Sequence, residues 1–203
     1  KGIKIDALVG LYKGTSLIRE EFGEVLFCDY GLSGPPVMQI SRNAFRDENE
    51  YYICLDLFAG KDKKELLNLL EKRVKLLLNR SLEEFFTGLL NKRLGQVILK
   101  YCGFKLSREV SSLEIQDIEK IAESLKCFKV KVLGHTGFVN SQVTAGGLAT
   151  SLFDSKTMMS KIIPGLFAAG EILDIDGDCG GFNLKWAWCS GILAAKSAVE
   201  YLR

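Results

Sequence analysis

The chain has 203 residues, of which 47% are hydrophobic and 26% charged, so it can bury a core and is not an intrinsically disordered protein. Its 27 Lys and Arg residues against 25 Asp and Glu residues give a formal net charge of +2, which makes no electrostatic case for nucleic acid or an anionic membrane. No apolar run reaches the roughly 18 residues of a membrane span and the first residues contain no signal-peptide core, so we expect a cytoplasmic protein with neither partner.

The first segment, residues 1–59, is predicted to be a β subdomain. Short apolar runs separated by glycines predict strands over Gly2–Tyr12, Ser16–Glu20 and Glu24–Cys28. Pro35 and Pro36 can occupy the start of a short helix, where a missing N–H costs little. A run rich in Tyr, Ile and Leu predicts a further strand over Tyr51–Phe58.

The residue pattern then becomes typical of helices, and residues 60–127 are predicted to form a helical insert. Leucines recur at helical spacing between Leu66 and Leu78, and Ser81–Leu90 and Lys92–Tyr101 indicate two more helices. Ser111 and Glu114 match the capping-box pattern ahead of a last apolar stripe. The basic stretches of this insert are interpreted as a solvated helix face and not as a binding patch.

A residue pattern typical of strands returns after the insert. Alternation over Phe128–Leu133 and a Gly-rich continuation assign residues 128–161 to the returning part of the β subdomain. Residues 162–203 are predicted to form a separate C-terminal segment, in which a short strand over Ile162–Glu171 is followed by a Gly-rich loop and a helix over Leu184–Leu202.

The Gly-rich loop is the segment that points to a ligand. Glycines without Cβ atoms at Gly180 and Gly181 would let the backbone at the helix start approach a ligand closely, and the helix dipole favours an electron-rich atom there. Asp174 and the acids near it argue against a phosphate at this point and suit sugar hydroxyls. The same loop is also compatible with an ordinary Gly-rich turn that starts a buried helix. A calcium loop starting at Asp174 is excluded because Cys179 and Lys185 stand where the EF-hand pattern needs Gly and Glu.

Histidine and cysteine leave little room for side-chain or metal chemistry. The one histidine, His135, excludes a metal site with several histidines in this chain, and no C-x-x-C pair occurs among the six cysteines, so no metal site is predicted. Reduced thiols are the expectation, although an even number of cysteines also allows disulfides. His135 as a base and Cys179 as a redox thiol are minor candidates. No catalytic residue is assigned.

Several motifs, in order, resemble one flavoprotein family. They are Gly31–Pro35 with Gln39–Ser41, Val143–Gly147, Lys156–Lys161, Pro164–Glu171 and Gly180–Trp188. The chain therefore resembles the bacterial NAD(FAD)-utilising dehydrogenases, or aminoacetone-oxidase-like FAD-binding enzymes, which are distantly similar to the fumarate-reductase flavoproteins. The resemblance implies an α+β fragment of a two-dinucleotide-binding flavoprotein, with a β-barrel-like subdomain, its helical insertion and a C-terminal strand–loop–helix of the FAD domain.

The resemblance also implies roles for individual residues toward FAD. Gly170 and Glu171 would lie beside the ribityl and pyrophosphate groups, with Asp174 near sugar hydroxyls. The backbone of the helix start would face the isoalloxazine ring, through Gly180, Gly181, Phe182, Asn183 and Leu184. Thr144, Gly146 and Gly147 would lie near the ring and the substrate. Val143 stands where the fumarate-reductase relatives often carry His, so their acid–base chemistry is not transferred.

One family landmark does not occur in the 203 residues. The family begins with a strand and a Gly-x-Gly-x-x-Gly loop that binds the ADP half of FAD, and no such loop is found here. We therefore expect a C-terminal fragment whose partner is the missing N-terminal FAD-binding half, and which by itself holds FAD weakly or not at all. The expected whole protein is an FAD-dependent oxidoreductase that transfers hydride through flavin N5 to or from an unknown small molecule, with NAD(P)H as one candidate electron donor. The alternative is a cofactor-free, non-catalytic interaction module.

Overall fold

The structure is a computed structural model that describes residues 1–44 and 50–203. These residues divide into two compact units, Lys1–Gly134 and His135–Arg203, called here the N-terminal and C-terminal units. The C-terminal unit thus includes residues 135–161, which the sequence assigns to the returning strands. None of the helices formed by the described residues combines the length and the apolar character that a bilayer crossing requires.

The N-terminal unit is built on one antiparallel sheet. Its strands lie in the order β3-β2-β1-β4-β5, and every neighbouring pair is antiparallel. The strands are β1 (Ile3–Lys13), β2 (Ser16–Cys28), β3 (Gly31–Ser33), β4 (Tyr51–Asp56) and β5 (Phe128–Lys131). Together with the helices this makes an α+β fold, as the sequence predicts.

The predicted break of the second strand at Gly23 is wrong, because β2 runs through it. Gly23 pairs with Ala7 in the β1–β2 ladder, and a Cβ on Gly23 would lie 3.2 Å from Cδ of Pro36. Pro36 belongs to helix α1 (Pro35–Ser41), which the sequence predicts correctly. The glycine therefore lets this helix approach the strand, and does not mark a turn.

Three longer helices form the insert between β4 and β5, namely α2 (Lys63–Leu76), α3 (Lys92–Tyr101) and α4 (Ile115–Lys126). Each agrees with the apolar periodicity of the sequence. The capping box of the last helix is shifted, however. Glu114 is its N-cap and pairs with Asp117, whereas Ser111 lies in a 3₁₀ turn and donates to Glu109 at 3.2 Å.

The predicted helix over Ser81–Leu90 is wrong. Only a 3₁₀ turn forms there, at Leu82–Glu84. The N–H of Leu82 donates to the carbonyl of Arg108 at 2.8 Å, and that of Glu83 donates to Leu106 at 3.0 Å. Pairing with a segment distant in sequence thus replaces the local i−4 pattern, and places two buried phenylalanine rings, Phe85 and Phe86, in the core.

The two ends of the insert are bonded to each other where residues 54–57 meet residues 125–127. Cys54 of β4 and Cys127, just before β5, form a disulfide that closes a separation of 73 residues, with Cα atoms 5.0 Å apart. The expectation of reduced thiols is therefore wrong for this pair. Beside it, Lys126 forms an ion pair with the largely buried Asp56 at 2.5 Å, and the N–H of Leu57 donates to the carbonyl of Leu125. The insert is thus held at its base by covalent, ionic and backbone bonds.

The C-terminal unit consists of turns and one long helix, α5 (Phe182–Tyr201). The helix agrees with the sequence, but the strand predicted over Ile162–Glu171 does not form. Among the described residues, this stretch makes only a single bridge, between Phe167 and Met159, and then a 3₁₀ turn at Gly170–Ile172. A strand needs a neighbouring strand for its backbone groups, and the described part of the unit supplies no ladder for it.

Candidate functional site

Two of the three sequence-predicted site segments come together in the C-terminal unit, where two separate loops are joined. Leu148 forms a parallel bridge with Leu173, in which its N–H donates to the carbonyl of Ile172 at 2.8 Å. Its carbonyl in turn accepts from the N–H of Asp174 at 2.9 Å. The Thr144–Gly147 turn and the Gly170–Asp174 turn are therefore neighbours in the fold.

Two carboxylates complete this junction. Glu171 Oε1 accepts from the backbone N–H of Thr144 at 3.3 Å, and Asp174 Oδ1 accepts from that of Gly146 at 3.1 Å. Charged acceptors make these hydrogen bonds stronger than neutral ones. Residues predicted to face the cofactor are thus bonded directly to residues predicted to face the substrate.

Gly147 is required by this close approach. Its φ is +150°, and a Cβ at this position would lie 2.6 Å from the carbonyl oxygen of Ile172. Any side chain would therefore push the two turns apart. The sequence singles out this glycine for its place near a ligand, whereas the structure explains it by contact between the two turns.

The Gly-rich loop is tied to the start of α5 by Asn183. The side-chain Oδ1 of Asn183 accepts from the N–H of Gly177 at 2.7 Å, and its Nδ2 donates to the carbonyl of Gly177 at 2.9 Å. The amide is thus engaged in shaping the loop. The prediction that Asn183 contacts a cofactor stays a prediction, and in this arrangement its backbone is the part left for such a contact.

The first turn of α5 is open to a ligand. Its N-cap is Gly181, with φ +88° and no side-chain cap bond, and a Cβ there would meet nothing within 4 Å. Phe182 and Leu184 are exposed. An uncapped helix start with a bare backbone fits an electron-rich ligand atom, such as the carbonyl and ring nitrogen edge of a flavin. The backbone at Gly181 and the first turn of α5 is therefore compatible with the flavin that the sequence resemblance implies, and the contacts predicted for Gly180 and Gly181 stay predictions.

Sequence reasoning missed a cavity in this unit and the role of two side chains of α5. The cavity has a volume of about 270 Å³ and almost wholly apolar walls, formed by Thr150, Phe153, Ser155, Met158, Leu173, Ile175 and Trp186. Met158 has a left-handed φ of +61°, which is unusual for a residue other than glycine. The two side chains are Trp186 and Ser190, which lie one helical turn apart in α5 and form hydrogen bonds with Gly170. Trp186 belongs to the Gly180–Trp188 motif, whereas Ser190 carries no sequence signal of its own.

The remaining candidates gain no role in the described structure. His135 lies exposed and its Nδ1 accepts from the N–H of Gly137 at 3.0 Å, which is a local turn contact. Cys179 is exposed, while burial raises the pKa of the Cys102 thiol in the N-terminal unit, which makes that thiol less reactive. No group of His, Cys, Asp and Glu able to hold a metal ion occurs within residues 1–44 and 50–203.

Comparison with known proteins gives both a family and relatives. The family described as the HI0933-like protein barrel and H2TH domain matches residues 1–143. A 3-dehydro-bile acid delta(4,6)-reductase of Clostridium scindens is 33% identical over 98% of this chain and 49% of its own length. Ribosomal RNA dihydrouridine synthases of Escherichia coli and Haemophilus influenzae are 32% and 28% identical over 97% of this chain, and over 48% and 46% of their own lengths. The chain spans about half the length of these curated relatives.

Proposed function

The chain belongs to the HI0933-like family, whose barrel and H2TH domain it matches over residues 1–143, and from this membership we propose that the whole protein is an FAD-dependent oxidoreductase. The observation that carries the proposal is the junction of the Thr144–Gly147 and Gly170–Asp174 turns in the unit whose helix α5 has an open, uncapped start. Segments predicted from sequence to face one flavin are thereby neighbours. The two-dinucleotide-binding architecture of the resembling flavoproteins is part of the same proposal.

The names of the relatives suggest the reaction. A delta(4,6)-reductase of a 3-dehydro-bile acid and a dihydrouridine synthase both denote the addition of two hydrogens to a C=C bond conjugated with a carbonyl group. We propose this reaction type for the whole protein. When bound and reduced by NAD(P)H, a flavin would supply one hydrogen as hydride from N5, and the second hydrogen would arrive as a proton, for which no residue is assigned. The chain's own part is to orient the flavin, through the Gly170–Glu171 turn and the backbone at the start of α5, whose N–H groups favour negative charge.

The proposed substrate is a small unsaturated carbonyl compound and not an RNA. The formal net charge of +2 over 203 residues offers little attraction for a polyanion. NAD(P)H is the proposed source of electrons. In the proposed organisation neither nucleic acid nor membrane is a partner.

A second polypeptide segment is part of this proposal, namely the FAD-binding half that the relatives' remaining length would supply. Helix α5 buries one face within its unit and leaves an opposite apolar stripe exposed, in which Trp188 is 72% exposed. The stripe consists of Leu184, Trp188, Ile192 and Val199, spaced at helical intervals. A helix that is apolar on both faces is typical of a buried position. We propose that the FAD-binding half covers this stripe.

The function is tested on the whole protein. The purified whole protein is expected to show the visible absorbance band of a flavin. NADPH or NADH added without oxygen should bleach this band. The protein should also add two hydrogens to a conjugated steroid dienone, which mass spectrometry detects. Absence of the flavin band from the purified whole protein would contradict the proposal. Reduction of uridines in ribosomal RNA with no turnover of small enones would overturn the proposed substrate class while leaving the flavin chemistry intact.

A matching prediction concerns the chain by itself. FAD added to the 203-residue chain is expected to bind weakly or not at all, because the chain offers contacts to only part of the cofactor. Quenching of flavin fluorescence on titration measures this directly. Binding tighter than micromolar would show that the other half is not needed, and would favour a complete site within this chain.

A further inference from the structure

Two side chains of α5 hold both backbone groups of Gly170. The N–H of Gly170 donates to Ser190 Oγ at 2.9 Å, and the carbonyl of Gly170 accepts from the indole Nε1 of Trp186 at 3.0 Å. Ser190 Oγ also donates to the carbonyl of Trp186 at 2.6 Å. Serine, tryptophan and glycine therefore form one closed set of hydrogen bonds, called here the Gly170 clamp.

The clamp is buried at its serine. Ser190 is only 2% exposed, and it is a buried polar residue in a helix that is largely apolar. A hydroxyl both accepts and donates, so this one group satisfies the amide of Gly170 and keeps its own proton bonded to the helix. Replacing it by a methyl group would leave the Gly170 N–H without its partner, which costs more than the loss of an exposed bond.

The clamp also sets the conformation of the turn that follows. Gly170 has a φ of +71°, a left-handed value that only glycine adopts readily. The next residue is Glu171, whose carboxylate reaches Thr144, and the carboxylate of Asp174 reaches Gly146. The position of both turns relative to α5 therefore depends on where the helix holds Gly170.

We infer that Ser190 and Trp186 are positioning residues for the flavin site. They align the Gly170–Glu171 turn with the first turn of the same helix, so that the two face one ligand in a constant geometry. This inference rests on the proposed function, because the ligand is the flavin proposed there. Replacing a side chain that contributes only to packing would lower the stability of the fold without a specific change at the flavin. Replacing a positioning residue is expected to change the affinity for FAD and the visible spectrum of the bound flavin.

The clamp itself can be tested in the 203-residue chain without any flavin. The chain has two tryptophans, so its nuclear magnetic resonance spectrum contains two indole N–H signals. Ser190→Ala is expected to speed the exchange of the Trp186 indole proton and the Gly170 amide with solvent by about tenfold or more. The exposed indole of Trp188 is an internal control that should not change.

The positioning role is tested in the flavin-loaded whole protein. Ser190→Ala and Trp186→Phe are each expected to weaken FAD binding by about tenfold and to shift the visible flavin spectrum. Ser190→Thr, which keeps the hydroxyl, should restore most of the affinity. Ser197→Ala, the same kind of change two turns further along α5, is the matched control and should leave both readouts unaltered.

The possible outcomes separate this inference from the proposed function. Unchanged proton exchange in Ser190→Ala would overturn the clamp. Faster exchange with unchanged FAD affinity and spectrum would show a structural bond only, and would overturn the positioning role while the flavoprotein proposal stands. A whole wild-type protein without flavin would end the proposed function, and the positioning role with it.

Discussion

Replacing Gly34 by alanine is expected to lower the free energy of unfolding of the N-terminal unit by roughly 3 kcal/mol or more. Gly34 is the N-cap of α1, with a φ of +108°, and a Cβ there would lie 2.2 Å from the carbonyl oxygen of Glu24 in β2. Both the left-handed conformation and the backbone contact oppose a side chain. The loop can escape the contact only by moving α1 away from the sheet.

Gly14→Ala is the matched control for this experiment. Gly14 also has a left-handed φ, +58°, but a Cβ there would meet nothing within 4 Å. Its cost should therefore be the conformational part alone, about 1 kcal/mol. Thermal and urea unfolding followed by circular dichroism measures both variants. Equal losses in the two would show that the contact with Glu24 carries no weight.

Cys127→Ser is expected to cost the oxidised protein about 4 kcal/mol of unfolding free energy. The disulfide with Cys54 closes a separation of 73 residues, and a cross-link over so long a loop removes much of the freedom of the unfolded chain. The change also removes the covalent bond between the two ends of the insert. Urea unfolding in buffer without reductant measures the loss.

Two comparisons give this second experiment its control. Cys28→Ser changes a cysteine that is free in the structure and should have a small effect. Dithiothreitol should lower the stability of the wild-type chain to that of Cys127→Ser, and should leave Cys127→Ser itself unchanged. A thiol titration that finds six free thiols in protein purified without reductant would contradict the disulfide, because the chain has six cysteines.

Local patterns predicted most of the helices and strands. Helices α2, α3 and α4 follow from apolar residues at a period close to that of the helix, since one face of each is buried against the core. The same reasoning failed for Ser81–Leu90, which has helical composition but gives its N–H groups to Arg108 and Leu106. Helical composition decides the structure only where no distant partner competes for the backbone.

In the candidate site, too, the features set by local sequence could be predicted and those set by distant partners could not. Its Gly-rich segments could be found from sequence because glycine, acid and helix-start patterns are local. The pairing of Glu171 with Thr144 and of Asp174 with Gly146 could not, since it joins residues 27 and 28 positions apart through backbone N–H groups that carry no sequence signal. Ser190 was missed because a serine in an apolar helix looks like a neutral small residue until its partner, Gly170, is known.

The sequence by itself determined the α+β class, the helical insert between two β segments and the Gly-rich start of α5, because each depends on neighbours within one or two turns of the chain. Only the tertiary structure decided that β2 runs through Gly23, that Cys54 pairs with Cys127, and that Ile162–Glu171 forms a single bridge, at Phe167, instead of a strand. These features depend on groups brought together from distant positions. Hydrogen bonds, disulfides and sheet ladders are made with whatever partner the fold places within reach, and a local pattern does not name that partner.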